Sequence, residues 1–246
     1  MKYSRSFQVF KLVLKERYRE PTLELVLPLM LVSNVFLSAF YERGDFNLLG
    51  VVLSFVPIIG VSETLAFALG LRNVVFVSGD HIHQGSIISF LMMSTRRETL
   101  FFFLYVSDVV LPLAFWILTT STYSLLSGIP VPALLLLTYV GGYLFSLNLV
   151  LLFTIYLRTP GLVVLISFFS LGSVFVFGGA INYYELIEGN LSSLFFSSFS
   201  NPYVLWIAYS LGRNLISQIY VGVAVDLSLA LIFLLMSFKA FRVIEL

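Results

Sequence analysis

Residues 79–98 read GDHIHQGSIISFLMMSTRRE, and this stretch interrupts an otherwise nearly continuous run of apolar residues. Both of its ends are polar, and the apolar block between them is too short to cross a lipid bilayer. That block can form about two helical turns, on which Ile87, Ile88 and Leu91 share one apolar face. Asp80 stands where its carboxylate can cap a first helical turn. We therefore expect a short helix outside the lipid that either contacts a partner or rests on the membrane surface.

The composition of the chain is that of a membrane protein. Hydrophobic residues make up 59% of the 246 residues and charged residues 11%, and the mean hydropathy is +0.99. A soluble domain is about one quarter charged. The composition predicts an all-α polytopic membrane protein with one transmembrane domain, residues 1–246. The absence of cysteine excludes disulfides and thiolate metal sites, and the net charge of +1 indicates no nucleic-acid partner.

Six segments are apolar enough to be membrane spans. They lie at about residues 23–40, 48–77, 100–120, 133–157, 162–177 and 219–238. The second is longer than the roughly 20 residues that a bilayer requires, so we expect it to tilt, bend or project beyond the lipid. We expect Gly178 and Gly179 to end the fifth span.

The first 22 residues predict a helix at the membrane interface. Phe7, Phe10, Leu14 and Tyr18 would fall on one side of this helix, and lysine and arginine side chains on another. This pattern is typical of a helix that lies in the headgroup plane with its rings towards the lipid. The alternative is a free cytosolic tail.

The distribution of basic residues predicts the orientation. With six spans both termini lie on one side of the membrane, and twelve of the 14 lysine and arginine residues fall on that side. Only Arg43 and Arg213 fall on the other side. Because basic residues accumulate on the cytoplasmic side of membrane proteins, we expect both termini and residues 79–98 to lie in the cytoplasm, with the chain in the cell membrane.

Residues 181–217 are too apolar for a solvated outer loop, but no block in them is long enough to span. Asn201 and Pro202 predict a helix start, because proline is well tolerated at the first helical position. Gly212 predicts the end of that helix. We expect short helices that re-enter the outer leaflet and satisfy their own backbone hydrogen bonds. A single amphipathic helix lying flat on the membrane is the alternative.

Motifs for catalysis and for metal binding are lacking. The chain has no Gly-x-x-x-x-Gly-Lys-Ser/Thr phosphate-binding loop, so we do not expect it to hydrolyse ATP or to be an enzyme. His81 and His83 would point to different faces of a helix, and no further ligand stands near them in the sequence. Polar surface positions are therefore favoured for both over a metal site.

Three carboxylates lie inside predicted spans: Glu63, Asp108 and Asp226. A charged group in the bilayer is costly, and such residues often line substrate paths. The functional interpretation is a polar lining of a translocation path. The structural interpretation is that they hold neighbouring helices together.

Four stretches resemble the membrane subunits of ATP-binding-cassette (ABC) exporters of the type-2 permease family. They are KERYREPTLELVLPLML at 15–31, GDHIHQGSIISFLMMSTRRETLFFFLYVSD at 79–108, SNPYVLWIAYSLGRN at 200–214 and FKAFR at 238–242. The second is similar to the family's cytosolic turn, with matches at Asp80, Gly85, Ile88, Leu91 and Arg97. The third is similar to the segment before the last span, with matches at Asn201, Pro202 and Arg213.

The chain departs from the family's pattern at two places. The family usually has proline after the leucine-rich turn, where this chain has Ser94 and Thr95. It often has glutamate beside the glycine, where this chain has His83 and Gln84. These departures concern the fit to an ATPase groove.

The resemblance implies a permease subunit of an ATP-driven exporter that pairs in the membrane with a second copy or a homologue. ATP and Mg²⁺ would bind a separate ATP-binding subunit, and this chain would bind no cofactor. The residues that would couple it to that subunit are Asp80, Gly85, Ile87, Ile88, Leu91 and Arg97. Two other classes stay open: a secondary or ion-coupled transporter that uses the intramembrane carboxylates, and a non-transporting membrane assembly protein.

Overall fold

The computed structural model describes residues 2–18, 22–41, 49–93, 96–128, 131–210 and 212–243, and within these ranges it contains helices and no strand. The helices are α1 (Lys2–Arg17), α2 (Thr22–Tyr41), α3 (49–83), α4 (Ile87–Met92), α5 (Arg97–Ser127), α6 (Ala133–Leu157), α7 (Pro160–Glu188), α8 (Leu194–Ser197), α9 (Pro202–Ser210) and α10 (Ile216–Val243). Arg43, one of the two basic residues predicted on the other side, and the departures at Ser94 and Thr95 lie outside the described residues.

Five of the described helices, α3, α5, α6, α7 and α10, are long and apolar enough to cross a membrane. The chain is therefore a multi-pass, all-α membrane protein. Helix α2, the first predicted span, packs along α3 and α5, and its described side chains include the apolar stretch Glu24–Phe36. A membrane crossing by α2, and with it the count of six spans, stays a prediction.

Helix α6 lies at the centre of the bundle, and its most extensive interface is with α10. Small residues on α6 allow close neighbours: a Cβ added at Gly141 would lie 3.5 Å from the Asp226 and Val223 side chains of α10. Interfaces between membrane helices favour small residues for this reason, because lipid supplies no hydrophobic force between helices. Helices α3, α7 and α9 pack around the other sides of α6.

Helix α3 runs from residue 49 to 83 without a break, so the predicted second span projects beyond its expected end at 77. Asp80 consequently lies inside this helix, and its predicted role as an N-cap is wrong. The helix continues past Ser78 because a π-helical segment, Arg72–Ser78, joins its two α-helical parts. Similar π-helical segments occur in α5 at Val106–Val110 and in α7 at Ser173–Phe177.

The prediction that Gly178 and Gly179 end the fifth span is wrong. Helix α7 continues through both glycines to Glu188, and Gly189, at φ +73°, follows its end. The two glycines serve close packing instead: a Cβ added at Gly178 would lie 2.1 Å from the Ser200 side chain. The first eight residues of the predicted outer segment, 181–188, therefore belong to α7.

The rest of the outer segment folds back against the bundle. Helix α8 leads through a 3₁₀ turn, Ser198–Ser200, into α9. Helix α9 begins at Pro202, directly after Asn201, as predicted, and Gly212 (φ +93°) lies beyond its end. The turn lies against α10, where a Cβ at Gly222 would come within 2.8 Å of the Ser198 carbonyl oxygen. Re-entry of this segment into lipid stays a prediction.

Candidate functional site

The predicted short helix between the second and third spans exists as α4. It has six residues, and it is joined to α3 by a turn in which Gly85 has φ +70°, a left-handed conformation that glycine adopts at no steric cost. Ile87 is buried, whereas Ile88 and Leu91 are half-buried. Met92 is 80% exposed, so the end of α4 presents apolar surface without a described neighbour covering it.

Next to this turn, Arg17 of α1 and Asp108 of α5 form a buried ion pair. The Arg17 Nε donates to Asp108 Oδ1, and its Nη2 donates to Ser78 Oγ of α3 over 2.7 Å. The Ser78 hydroxyl in turn donates to the second oxygen of Asp108. Asp108 is thus fully engaged in joining three helices, and it does not line the cavity described below.

A second set of contacts links α1 to the turn before α4. His81 Nε2 lies 2.6 Å from Glu16 Oε1, and His81 Nδ1 lies 2.7 Å from Ser86 Oγ. Arg72 of α3 donates to the Arg17 carbonyl oxygen over 3.2 Å. The C-terminal end of α1 is therefore fastened to the last turns of α3, on the side of the turn that precedes α4. His81 acts here as a polar bridge.

Tyr18 extends this network as a hydrogen-bond donor to the Ser107 carbonyl oxygen. Burial raises the pKa of the Tyr18 phenol well above its usual value, and the Asp108 carboxylate raises it further, although Arg17 and Arg72 oppose this. The phenol therefore stays protonated, as a donor must be.

Helix α1 packs on the bundle through a face that the sequence did not predict, and the predicted lipid contact of its rings stays a prediction. Val9, Val13 and Arg17 form its buried line, whereas Phe7 is 67% exposed. Phe10 is half-buried and contacts Phe103 of α5, with ring centroids 5.0 Å apart. The sequence placed Arg17 among the solvated basic residues because its partner, Asp108, is far away in the chain.

Several basic residues meet at the end of the bundle that carries α4. Arg97 Nη1 donates to the carbonyl oxygen of Arg242 over 3.1 Å, which brings the start of α5 to the end of α10. A Cβ added at Gly79 would lie 3.1 Å from Thr154, so the α6–α7 turn with Arg158 also lies at this end. Arg97, Arg158 and Arg242 thus lie at one end of the bundle, and the side of the membrane that this end faces stays a prediction.

A cavity of about 410 Å³ lies between α3, α6 and α7 and is closed at one side by α9. Its wall is made of the following residues: Glu63, Phe67, Leu71, Gly142, Ser146, Val150, Val164, Ser167, Phe168, Leu171, Gly172, Phe175 and Tyr203. Glu63 is the single charged residue on this wall. No described basic side chain pairs with it, and the phenols of Tyr139 and Tyr203 lie within electrostatic range of its carboxylate. The buried Ser167 hydroxyl has no hydrogen-bond partner within the described ranges.

Asp226, the third candidate carboxylate, lies elsewhere. It is buried between α10 and α6 against Gly141, and neither of its oxygens has a hydrogen-bond partner among the residues that the structure describes. It is not part of the cavity wall. The three intramembrane carboxylates thus have three different environments, and only Glu63 faces an open space.

The candidate residues of the outer segment, Asn201, Pro202 and Arg213, lie at or beyond the ends of α9. The Asn201 side chain donates from Nδ2 to the Phe175 carbonyl oxygen of α7 over 3.1 Å, which fixes the start of α9 to the cavity wall. Pro202 is buried at the first position of α9, and Arg213 is exposed. Among the described residues no group of three or more histidine, aspartate or glutamate side chains is placed to hold a metal ion.

The fold and these sites define a polytopic helical membrane protein with an exposed short helix at one end and a cavity among its spans. Comparison with known proteins adds no family: no family model, no curated protein and no solved structure matches this chain.

Proposed function

We propose that this chain is the permease subunit of an ATP-driven ABC exporter of type 2, and that α4 is the element that contacts a separate ATP-binding subunit. The observation that carries the proposal is α4 itself. It is a short helix between two long spans, held at the end of the bundle where basic residues meet, with Met92 exposed. Met93 beside it is also exposed, and an exposed apolar patch marks a protein or a membrane contact, of which the proposal takes the first.

In the proposed mechanism, ATP and Mg²⁺ bind to the partner, and two permease subunits, identical or homologous, form the path. Movement of the ATP-binding subunits shifts α4. Gly85 allows the tight turn into α4, and the buried side chain of Ile87 anchors α4 to the bundle. Through α3 and α5 the shift reaches the spans, and through the Glu16–His81 contact it reaches α1. Substrate would leave past the segment formed by α8 and α9.

The other predicted coupling residues, Asp80, Ile88, Leu91 and Arg97, would contact the partner or pass on the movement of α4. Ile88 and Leu91 are half-buried, so part of each is accessible to a partner. Asp80 lies on the last turns of α3, near the contact surface. Arg97 begins α5 and holds the end of α10, so a shift of α4 would be passed to the last span as well.

The proposal is tested by purifying the tagged chain from membranes of its own cells and identifying co-purifying proteins. We expect an ATPase, and we expect Met92→Glu to reduce its recovery strongly because the substitution places charge on the proposed apolar contact. Leu125→Glu is the matched control, since Leu125 is 84% exposed near the opposite end of α5. Recovery of the ATPase that is equal for the two variants would contradict the role of α4.

A second candidate function is an ion-coupled transporter, favoured by the isolated position of Glu63 in the cavity. Such a carrier would transport without any ATPase and would stop when proton and sodium gradients are collapsed. Transport by the purified chain alone in proteoliposomes, driven by an imposed gradient, would support this candidate. A non-transporting assembly protein would show neither behaviour.

A further inference from the structure

The cavity between α3, α6 and α7 has the size and the composition of a ligand site. Its volume of about 410 Å³ falls within the range of small-molecule pockets, about 300–1,000 Å³. Phe168 on its wall is 72% exposed, and Leu165 and Phe169 beside it are exposed on the same helix. The cavity therefore opens sideways, at the level of the spans, towards the outer face of α7.

The one acidic side chain on the cavity wall has no basic partner within the described ranges. Glu63 is the only ionisable carboxylate on the wall, and no described basic side chain reaches it. A lone carboxylate within a membrane span is costly unless a cation or a hydrogen-bond donor compensates it. The other two intramembrane carboxylates leave no room for a cation beside them. Asp108 already binds Arg17, and Asp226 is packed against Gly141.

The remaining wall suits the body of an organic cation. Phe67, Phe168, Phe175 and Tyr203 supply aromatic rings around Glu63. Ring faces attract organic cations, and this attraction is stronger where water is excluded. A small inorganic ion would leave most of this apolar space unused, and an anion would be repelled by Glu63.

We propose that this cavity binds lipophilic monocations, with Glu63 as the counter-charge, the aromatic rings around the ligand body and the Ser167 hydroxyl as an available polar contact. This assignment deepens the proposed function by naming the chemical class of the cargo, and it rests on that function for the step from binding to export. The sideways opening gives such a ligand a route from the lipid, where amphipathic cations accumulate.

The test measures binding of radiolabelled tetraphenylphosphonium to the purified full-length chain in lipid nanodiscs, with empty nanodiscs subtracted. We expect saturable binding, and we expect Glu63→Gln to raise Kd by roughly tenfold or more because it removes the counter-charge. Glu63→Asp should retain most of the affinity. Tetraphenylborate, which has the same shape and the opposite charge, should not bind saturably.

Two comparisons separate an effect on the cavity from a general loss of structure: Glu63→Gln with Asp226→Asn, and Gly172→Phe with Gly161→Phe. Asp226→Asn removes an intramembrane carboxylate outside the cavity and should leave Kd unchanged. Gly172→Phe should abolish binding, because Gly172 lines the cavity and a Cβ there meets open space, whereas Gly161→Phe on the same helix also meets open space but lies away from the wall. Gly161→Phe should bind normally, and both phenylalanine variants should elute as the wild type in size-exclusion chromatography.

Three results would overturn the assignment: no saturable binding to the wild type, an unchanged Kd in Glu63→Gln, or equal binding of tetraphenylborate. The measurement contains no ATPase, so its failure leaves the co-purification result for α4 intact. Conversely, if the chain binds tetraphenylphosphonium but no ATPase co-purifies with it, the binding-site proposal stands and the exporter proposal fails.

Discussion

Arg17 and Asp108 show how a single ion pair joins three helices of this protein. Both side chains are almost completely buried. Arg17 also donates to Ser78, to the Val13 carbonyl oxygen and to Glu16, and Asp108 also accepts from Ser78 and Ser107. Such a pair contributes little compared with an apolar pair of the same shape, but removing one partner leaves a charge buried without compensation. The pair therefore acts mainly as a device that fixes where α1 lies on α3 and α5.

A single substitution in this pair should be far more damaging than the loss of a surface pair. We expect Asp108→Asn to destabilise the protein by up to about 3–5 kcal/mol, because Arg17 then stays charged and buried with only the partly exposed Glu16 as its counter-charge. The double variant Arg17→Leu with Asp108→Leu should recover much of this loss. The measurement is thermal stability in detergent by fluorescence-detected size-exclusion chromatography.

The control for that experiment is Glu98→Gln. Glu98 and Arg242 are both about half exposed and 3.2 Å apart, so this exposed pair is worth about 1 kcal/mol or less. If Asp108→Asn and Glu98→Gln shift the melting temperature equally, the Arg17–Asp108 contact is not the one that holds α1.

At the scale of elements, two of the three π-helical segments explain contacts that an α-helix does not offer. A π-helical turn shifts the backbone hydrogen-bond register and exposes carbonyl oxygens to other donors. In α5, Ser107 and Val109 carbonyl oxygens accept from Tyr18 and Tyr143, the latter over 3.0 Å. In α7, the Phe175 carbonyl oxygen accepts from Asn201. These two segments thus become attachment points for neighbouring elements.

The turn into α4 sets a strict requirement on Gly85. At φ +70° a β-branched residue is strained, whereas asparagine tolerates this conformation. If α4 couples the chain to an ATPase, Gly85→Val should abolish stimulation of ATP hydrolysis by substrate, while Gly85→Asn should retain most of it. ATPase assays of the reconstituted complex give the comparison, with membrane insertion of both variants checked first. Full stimulation in Gly85→Val would show that this turn does not transmit the signal.

Packing of the outer segment against α7 depends on Gly178. A Cβ there would lie 2.1 Å from Ser200, so Gly178→Ala should destabilise the protein by about 1–3 kcal/mol through overpacking. Ser200→Gly in the same chain should relieve the clash. Gly172→Ala, on the same helix but with open space around its Cβ, should be close to neutral in the same thermal assay. A neutral Gly178→Ala would mean that Ser200 does not lie against α7.

These elements also show where sequence reasoning succeeds and fails. Hydrophobic length and the polar interruption at 79–98 are local properties, so the spans and α4 follow from them. The role of Gly178 does not, because it depends on Ser200 arriving from a later element. For the same reason the sequence ranked Glu63, Asp108 and Asp226 alike: it indicates that they lie within spans, but it does not indicate which side of the bundle each one faces.

For the whole molecule, the arrangement of crossings is the property that the proposed function requires, because α4 must face the compartment that contains ATP. The chain has no cysteine, so single cysteines can report the side of each segment without other changes. Helices α5, α6 and α7 separate Met92 from Arg213, so three crossings would place these two residues on opposite sides. We therefore expect Arg213→Cys to react with a membrane-impermeant maleimide on intact cells, and Met92→Cys to react only after permeabilisation.

The same experiment decides whether α2 crosses the membrane. Phe7 is 67% exposed on α1, and α2 and α3 lie between it and Met92. If both helices cross, Phe7→Cys behaves like Met92→Cys and is protected in intact cells, as six spans and the twelve-to-two distribution of basic residues predict. If α2 does not cross, Phe7→Cys and Met92→Cys react from opposite sides. In that case the contacts of Glu16 and Arg17 with His81 and Ser78 could not form, since they require α1 and the end of α3 to share one side.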